Sequence, residues 1–364
     1  MRRKITGTVA ALLAAVLLLP CKVQAVSAQK AILMDAETGR TLFEKNADSR
    51  SLIASTTKIM TALVVCEQCN VLDRMRIPKE AVGIEGSSMY LKEGEVLTVQ
   101  ELLYGLMLHS GNDAAVALAI YCGGTVEGFA QLMNDKAHRL GLTGTHFENP
   151  NGLDSPGHYS TARDLAVLTA YAMKNPIFRQ TVSTKTVRVG ERTLTNHNKL
   201  LWRVEGADGV KTGYTKAAGR ILVSSAVRDG RRLVAVTIND GNDWADHKKL
   251  LEDGFSKYTQ RTIITEGVCV GKREIIGGTA RQVTLIADGA FQFPLAADEV
   301  PEIVISGPDF VFAPVVEGAD AGWAYVCLNG KAVGKVPLVY GETVEMVKPE
   351  KKKHFWEKWF GGGT

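Results

Sequence analysis

The chain is poor in the features that usually announce a class. Cysteine occurs six times in 364 residues. One of these, Cys21, falls in the leader described below, and an odd set of five scattered over the rest makes no disulfide framework. The seven histidines form no metal-spaced pair. Cys66 and Cys69 form a C-x-x-C, yet no second pair or histidine cluster completes a zinc site. They read as the end of a helix, and no metal or organic cofactor is expected. Cys269 and Cys327 could pair, which the sequence leaves open. The apolar run at residues 9–19 is too short for a membrane span. Repeats and long linkers are also missing.

That apolar run follows Arg2, Arg3 and Lys4 and is followed by small residues at Val26-Ser27-Ala28, the layout of an export signal. Val23-Gln24-Ala25 is a second candidate cleavage site. Pro20 directly before Cys21 argues against lipid modification there. Taking residues 1–28 as the signal removes Arg2, Arg3, Lys4 and Lys22 from the 43 basic residues and no acid. The remaining 39 basic residues then face 39 acidic ones. A neutral mature chain offers no electrostatic case for nucleic acid. Export places it outside the cytoplasm, in the cell wall or at the outer face of the membrane.

Alternation and helical periodicity organise the rest. Residues 31–45 read as a hairpin turning at Glu37-Thr38-Gly39. A helix is expected over 55–65 with Ile59, Met60, Leu63 and Val64 on its buried stripe, and helical patterns run through 98–122 around a break at Ser110-Gly111-Asn112. Further helices are expected over 127–140, 161–174 and 245–258, and strands over 181–189, 209–211, 221–227 and 233–238. After residue 258 helical periodicity gives way to short β-branched runs punctuated by Gly and Pro. The division is therefore a leader at 1–28, a catalytic domain at 29–258, a β-rich domain at 259–347 and a tail at 348–364. In the tail, Phe355, Trp356, Trp359 and Phe360 follow Lys351-Lys352-Lys353. That is the composition of a weak membrane-surface contact.

Three motifs in one order carry the chemistry: Ser55-Thr56-Thr57-Lys58, Ser110-Gly111-Asn112 and Lys211-Thr212-Gly213. A lone Ser-x-x-Lys is worth little, since roughly one is expected by chance in such a chain. Ser27-Ala28-Gln29-Lys30 matches as well. Ser55 differs in opening a strongly apolar helix. At i and i+3 its hydroxyl and the Lys58 amine share a face. Lysine is a base only when burial or a second cation lowers its pKa, and Lys211 is the candidate cation. Ser110 and Asn112 in a helix break suit proton relay and substrate holding. Lys211, Thr212 and the bare Gly213 suit a peptide carboxylate docking on an edge strand. Each tripeptide alone reads as a turn or an ordinary strand end; the ordered trio reads as acyl transfer through a covalent serine.

These residues, together with LMDAETGRTLFEKNAD, SSMYLKEGE, NPNGLD and GADGVKTGYTKAAGR, resemble the penicillin-binding proteins, specifically the low-molecular-weight D-alanyl-D-alanine carboxypeptidases. The similarity covers residues 31–258. It implies an α/β fold, an antiparallel sheet flanked by helices with a mostly helical subdomain, followed by a small all-β domain. It also implies that Ser55 is acylated by the penultimate D-Ala of a peptidoglycan stem peptide, with Lys58 as base and Ser110 as relay. Asn112 would contact the substrate amide and Lys211 and Thr212 the terminal carboxylate. Gly213 lets the strand approach, and the backbone N–H groups of Ser55 and Tyr214 would form the oxyanion hole. β-Lactam antibiotics are the implied inhibitors. Two departures stand out. Several relatives have His where Tyr214 stands, and the arginine some carry on the strand after this motif is missing from residues 235–240. The segment 240–244 is similar to that of sporulation-associated members. Rival readings are a serine β-lactamase with Glu148 as water activator, an endopeptidase or transpeptidase on cross-linked peptides, and a non-catalytic wall-binding protein.

Overall fold

The computed structural model describes residues 26–348; the expectations for the apolar leader and the basic-aromatic tail fall almost wholly outside them. The chain divides into two units, Met1–Asp253 and Gly254–Thr364.

The first unit is built on a five-stranded antiparallel sheet. Its strands are β1 (Lys30–Asp35), β2 (Thr41–Lys45), β7 (Ala207–Thr215), β8 (Gly219–Arg228) and β9 (Arg231–Ile238), in the order β2-β1-β9-β8-β7. The N-terminal hairpin thus closes against the last strand, and β7 is left as an edge. Two short hairpins, β3 (Arg74–Arg76) with β4 (Val96–Thr98) and β5 (Thr186–Val189) with β6 (Arg192–Thr195), lie outside this sheet. Residues Ile221 to Ala226 of β8 are buried without alternation, which a strand shows when both sheet faces are covered. Helix α5 (Ala162–Ala172) packs against β1, β8 and β9. Helix α7 (Asp243–Lys257) is pinned to the sheet by His247, whose Nδ1 meets Ser224 Oγ at 2.6 Å and whose Nε2 meets Thr237 Oγ1 at 3.0 Å. Burial pushes that imidazole down to about 3, so it is neutral.

The helical part centres on α1 (Lys58–Gln68), surrounded by α2 (Val99–Leu108), α3 (Asn112–Gly123), α4 (Val126–Arg139), α5 and α6 (Pro176–Ser183). Every residue from Lys58 to Val65 is buried. The expected stripe is therefore a whole buried cylinder, because neighbours surround it. Ser55 lies in a 3₁₀ turn over Ala54–Thr57 that leads into α1, rather than in the helix itself. Helix α2 opens on a full capping box, Thr98 with Glu101. Helix α6 corrects the strand expected from residue 181: Asn175 caps it by accepting from the Ile177 and Phe178 N–H groups, and Pro176 takes N1.

Residues Val26 and Ala28 are buried, and Ser27 donates from its N–H to Asp246 at 2.6 Å and from its hydroxyl to Asp240 at 2.8 Å. Cleavage after Ala25 leaves these contacts intact, whereas cleavage after Ala28 removes them.

The second unit holds a six-stranded sheet, β14-β16-β17-β12-β11-β15, and a two-stranded pair, β10 (Tyr258–Ile264) with β13 (Phe291–Ala296). In the larger sheet, β11 (Cys269–Ile276) and β16 (Asp320–Leu328) are separated by β12 (Gln282–Ala287) and β17 (Lys331–Tyr340); β14 (Glu302–Ile305) and β15 (Phe310–Phe312) form its edges. Cys269 and Cys327 are both free thiols in this structure. Among the described residues no helix is long and apolar enough to cross a membrane on its own.

Candidate active site

Three separate stretches of chain meet at Lys58. Its ammonium nitrogen lies 3.0 Å from Ser55 Oγ, 2.6 Å from Asn112 Oδ1 and 2.7 Å from the Asn151 carbonyl. Three acceptors match the three donors of an ammonium, so the amine cannot rotate away from the serine. The side chain is fully buried. Burial is the chief reason its pKa falls well below the ordinary lysine range; the Lys211 charge lowers it further, and Asp113 opposes both. Lys211, 1 % exposed, donates to the Thr212 carbonyl at 2.9 Å, and burial lowers it to about 7.

The turn carrying Ser55 is strained and held from below. Ala54 has φ 44° and Ser110 has φ 62°, left-handed values that cost an alanine or serine on the order of 1–3 kcal/mol. Such strain flanks functional groups when the surroundings over-determine it. Beneath the turn runs the loop Asn149-Pro150-Asn151-Gly152, which the sequence shows only as turn-rich. Pro150 offers its carbonyl to Thr61 Oγ1 at 2.6 Å, and Asn151 offers its own to Lys58. Gly152, with φ +85°, has no room for a side chain, since a Cβ would stand 1.9 Å from the Ala54 carbonyl. His158 secures the same turn from the other side. Its Nδ1 accepts from the Glu148 N–H at 3.1 Å, so Nε2 carries the proton and donates to Thr57 Oγ1 at 2.7 Å.

Asn112 is committed to the protein. Its side-chain carbonyl is spent on Lys58 and one amide hydrogen on the Glu85 carbonyl at 2.5 Å, while its backbone N–H reaches the Ser87 carbonyl at 2.7 Å. One N–H remains for a substrate amide. Its neighbour Asp113, which sequence reading passed over, organises the facing loop by accepting from Ser88 Oγ and from the N–H groups of Met89 and Leu91. A buried acid beside a motif asparagine is legible only once the loop at 87–91 is seen to fold over it.

The cleft itself, about 380 Å³, is lined on one side by Ser55 and Ser110 and on the other by Thr212, Gly213 and Tyr214 of the edge strand. Gly213 brings β7 against the nucleophile turn: a Cβ there would meet the Ile53 carbonyl and the Ser55 nitrogen at 3.3 Å. Lys58, Asn112 and Lys211 stand behind this wall, and Ser55, Ser110, Thr212, Gly213 and Tyr214 form it. Residues 235–240 hold no arginine, but β8 carries one near the cleft. Arg220 sits opposite Tyr214 in the β7–β8 register and lines the cleft. Asp243, at the start of α7, grips its guanidinium in a fork with distances of 2.8 and 2.9 Å to the two carboxylate oxygens. The sequence signal was present, since Arg220 is one strand-turn after the third motif, but strand order alone hides which strand adjoins an edge. His197, Lys199 and Trp244 also line the cleft. Glu148 accepts from Ser155 and is not among the lining residues. Among the described residues no cluster of side chains could hold a metal ion.

Residues 20–242 match the family described as D-alanyl-D-alanine carboxypeptidase, and residues 258–346 match the penicillin-binding protein 5 C-terminal domain. The chain is 32% identical over 334 residues to the D-alanyl-D-alanine carboxypeptidase DacF of Bacillus subtilis, covering 87% of this chain and 86% of that one. Among solved structures it is similar to penicillin binding protein 5 from Haemophilus influenzae, with TM-score 0.74, 29% identity and coverage of 88% and 98%. The Streptomyces K15 DD-transpeptidase aligns with TM-score 0.61 and 37% identity over 64% of this chain and 98% of that one.

Proposed function

This chain belongs to the D-alanyl-D-alanine carboxypeptidase family, a serine hydrolase among the low-molecular-weight penicillin-binding proteins, and on that premise we propose how its own residues perform the reaction. The observation that carries the assignment is the buried Lys58 amine, fixed 3.0 Å from Ser55 Oγ by two further acceptors. In its neutral form this amine takes the Ser55 proton as Oγ attacks the penultimate D-Ala carbonyl of a stem pentapeptide. The backbone N–H groups of Ser55 and Tyr214 receive the oxyanion. The C–N bond then breaks, and Ser110 passes a proton to the departing D-Ala nitrogen. Water cleaves the ester and returns Ser55, leaving a shortened peptide that can no longer donate to a cross-link. The reaction takes place outside the cytoplasm, with a weak membrane-surface contact through the tail at 348–364.

Carboxylate recognition falls to Thr212 and Arg220 at the cleft surface, with Lys211 behind them. Arg220→Ala is expected to raise KM for an acyl-D-Ala-D-Ala peptide by about 10- to 100-fold, the worth of one charge-assisted hydrogen bond from the part of the guanidinium that Asp243 leaves free. kcat should change far less, because the contact is made equally before and during acylation. Steady-state kinetics check this; an unchanged KM removes Arg220 from the substrate site.

The function is tested by D-alanine release from such a peptide, beside the lifetime of the benzylpenicillin adduct. Release with a penicillin adduct that persists through a mass measurement is expected, because Glu148 is bonded to Ser155 and does not line the cleft. Rapid steady-state hydrolysis of penicillin would make the chain a β-lactamase. Acylation without D-alanine release would move the substrate to cross-linked peptides.

A further inference from the structure

Helices α1 and α3 carry the base and the motif asparagine at their first residues, Lys58 and Asn112, which are joined at 2.6 Å. They are of similar length, 11 and 12 residues, or about 16 and 18 Å at 1.5 Å per residue. They start together and pack against one another, so they run side by side in one direction and also end together. At that far end stand Cys69, the C-cap of α1, and Cys122, in the last turn of α3. The Tyr121 hydroxyl, one residue before Cys122, donates at 2.9 Å to Asp73, four residues past Cys69, so these two ends are neighbours. Both cysteines are partly exposed, and both rest against the edge of the main core.

We propose that Cys69 and Cys122 form a disulfide in the working enzyme, a staple that clamps the far ends of the two helices whose near ends meet at Lys58 and Asn112. The inference rests on the reading that the chain acts outside the cytoplasm, where disulfides persist. It sets aside the Cys66-x-x-Cys69 pairing that the sequence spacing invites. Cys66 lies within α1, and burial, with Glu67 and Cys69 adding to it, pushes its thiol up to about 12. The Cys69 thiol is held below its usual range by its interaction with Cys122, which makes Cys69 the attacking group.

The step needs a disulfide oxidant, either a thiol–disulfide exchange protein or a small disulfide such as oxidised glutathione. The Cys69 thiolate attacks one oxidant sulfur, forming a mixed disulfide and releasing one thiolate. Cys122 then loses its proton and its sulfur displaces the second thiolate from Cys69, so two protein thiols are oxidised and one oxidant disulfide is reduced to two thiols.

The full chain is treated with oxidised glutathione, alkylated without reduction, digested with trypsin and mapped by fragmentation. Cleavage at Lys58, Arg74, Lys92 and Lys136 places Cys69 and Cys122 on separate peptides, 59–74 and 93–136. The expected result is a covalent link between those peptides through Cys69, with Cys66 alkylated. Reduction should lower the melting temperature of the wild type and of Cys66→Ser by about 5–10 °C, given the long loop closed, and leave Cys122→Ser unmoved. Alkylation of both Cys69 and Cys122, or a Cys66–Cys69 bridge, overturns the proposal, as does a bridge whose reduction does not shift the melting temperature. These readouts are masses and melting points, so they stand apart from any failure of the carboxypeptidase assay.

Discussion

Replacing Ser55 by alanine is expected to cut D-alanine release by about 10⁴- to 10⁶-fold, the loss seen when a serine hydrolase is deprived of its nucleophile. Nothing else in the cleft can take over. Ser110 lines the same wall, yet the Lys58 amine has its three contacts on Ser55, Asn112 and Asn151, so no base is aimed at Ser110. The variant should fold, because Ser55 belongs to a short turn whose packing comes from Ala54, Thr56 and Thr57. It should also lose the penicillin adduct completely while keeping its melting temperature within a few degrees. A coupled D-alanine assay, intact mass after penicillin treatment and a thermal melt make the check. A variant that still released D-alanine at one hundredth of the wild-type rate would remove Ser55 from the role of nucleophile.

Lys58→Met is expected to lose about 10²- to 10⁴-fold in acylation, the usual contribution of a positioned general base. Here the fold should suffer as well, since the Asn112 and Asn151 oxygens are left buried without their donor at about 1–3 kcal/mol each. A pH profile separates the chemical effect from the structural one. In the wild type, burial and the Lys211 charge hold Lys58 well below the ordinary lysine range. In the proposed mechanism the neutral amine is the base, so kcat/KM should fall as pH drops and Lys58 takes up its proton. On the alkaline side Lys211, lowered to about 7, loses the charge that attracts the substrate carboxylate. kcat/KM should therefore fall again as pH rises through about 7, while kcat, measured with carboxylate bound, keeps its plateau to higher pH. Lys58→Met should lose the acid limb and keep the alkaline one. Retention of the acid limb in that variant would show that another group is the base.

The elements that sequence reading placed well are those whose signal is local. The first hairpin, the break at Ser110 and the edge position of the third motif follow from alternation, turn chemistry and helical spacing within a few residues. The misplaced elements had competing local signals. Thr181 and Val182 look like strand residues, but Asn175-Pro176 starts a helix that runs over them. Arg220 was missed because its role depends on β8 being the neighbour of an edge strand. Asp113 and the Asn151 carbonyl were missed because a backbone oxygen carries no sequence signature, and the loop that faces Asp113 lies more than twenty residues away along the chain.

By itself the sequence determined the reaction type and the candidate side chains: a serine and a lysine one turn apart, a second serine in a helix break, and a cation, hydroxyl and glycine on an exposed strand. Those depend on residue identity at short spacing, where chain geometry leaves little freedom. Tertiary structure decided everything that depends on distance through space. It caged Lys58 with acceptors from two remote loops, took it out of water beside a second lysine, drew Arg220 into the cleft through Asp243 and brought Cys69 to Cys122. Burial and proximity are properties of the packed chain, and they are what hold Lys58 below the ordinary lysine range.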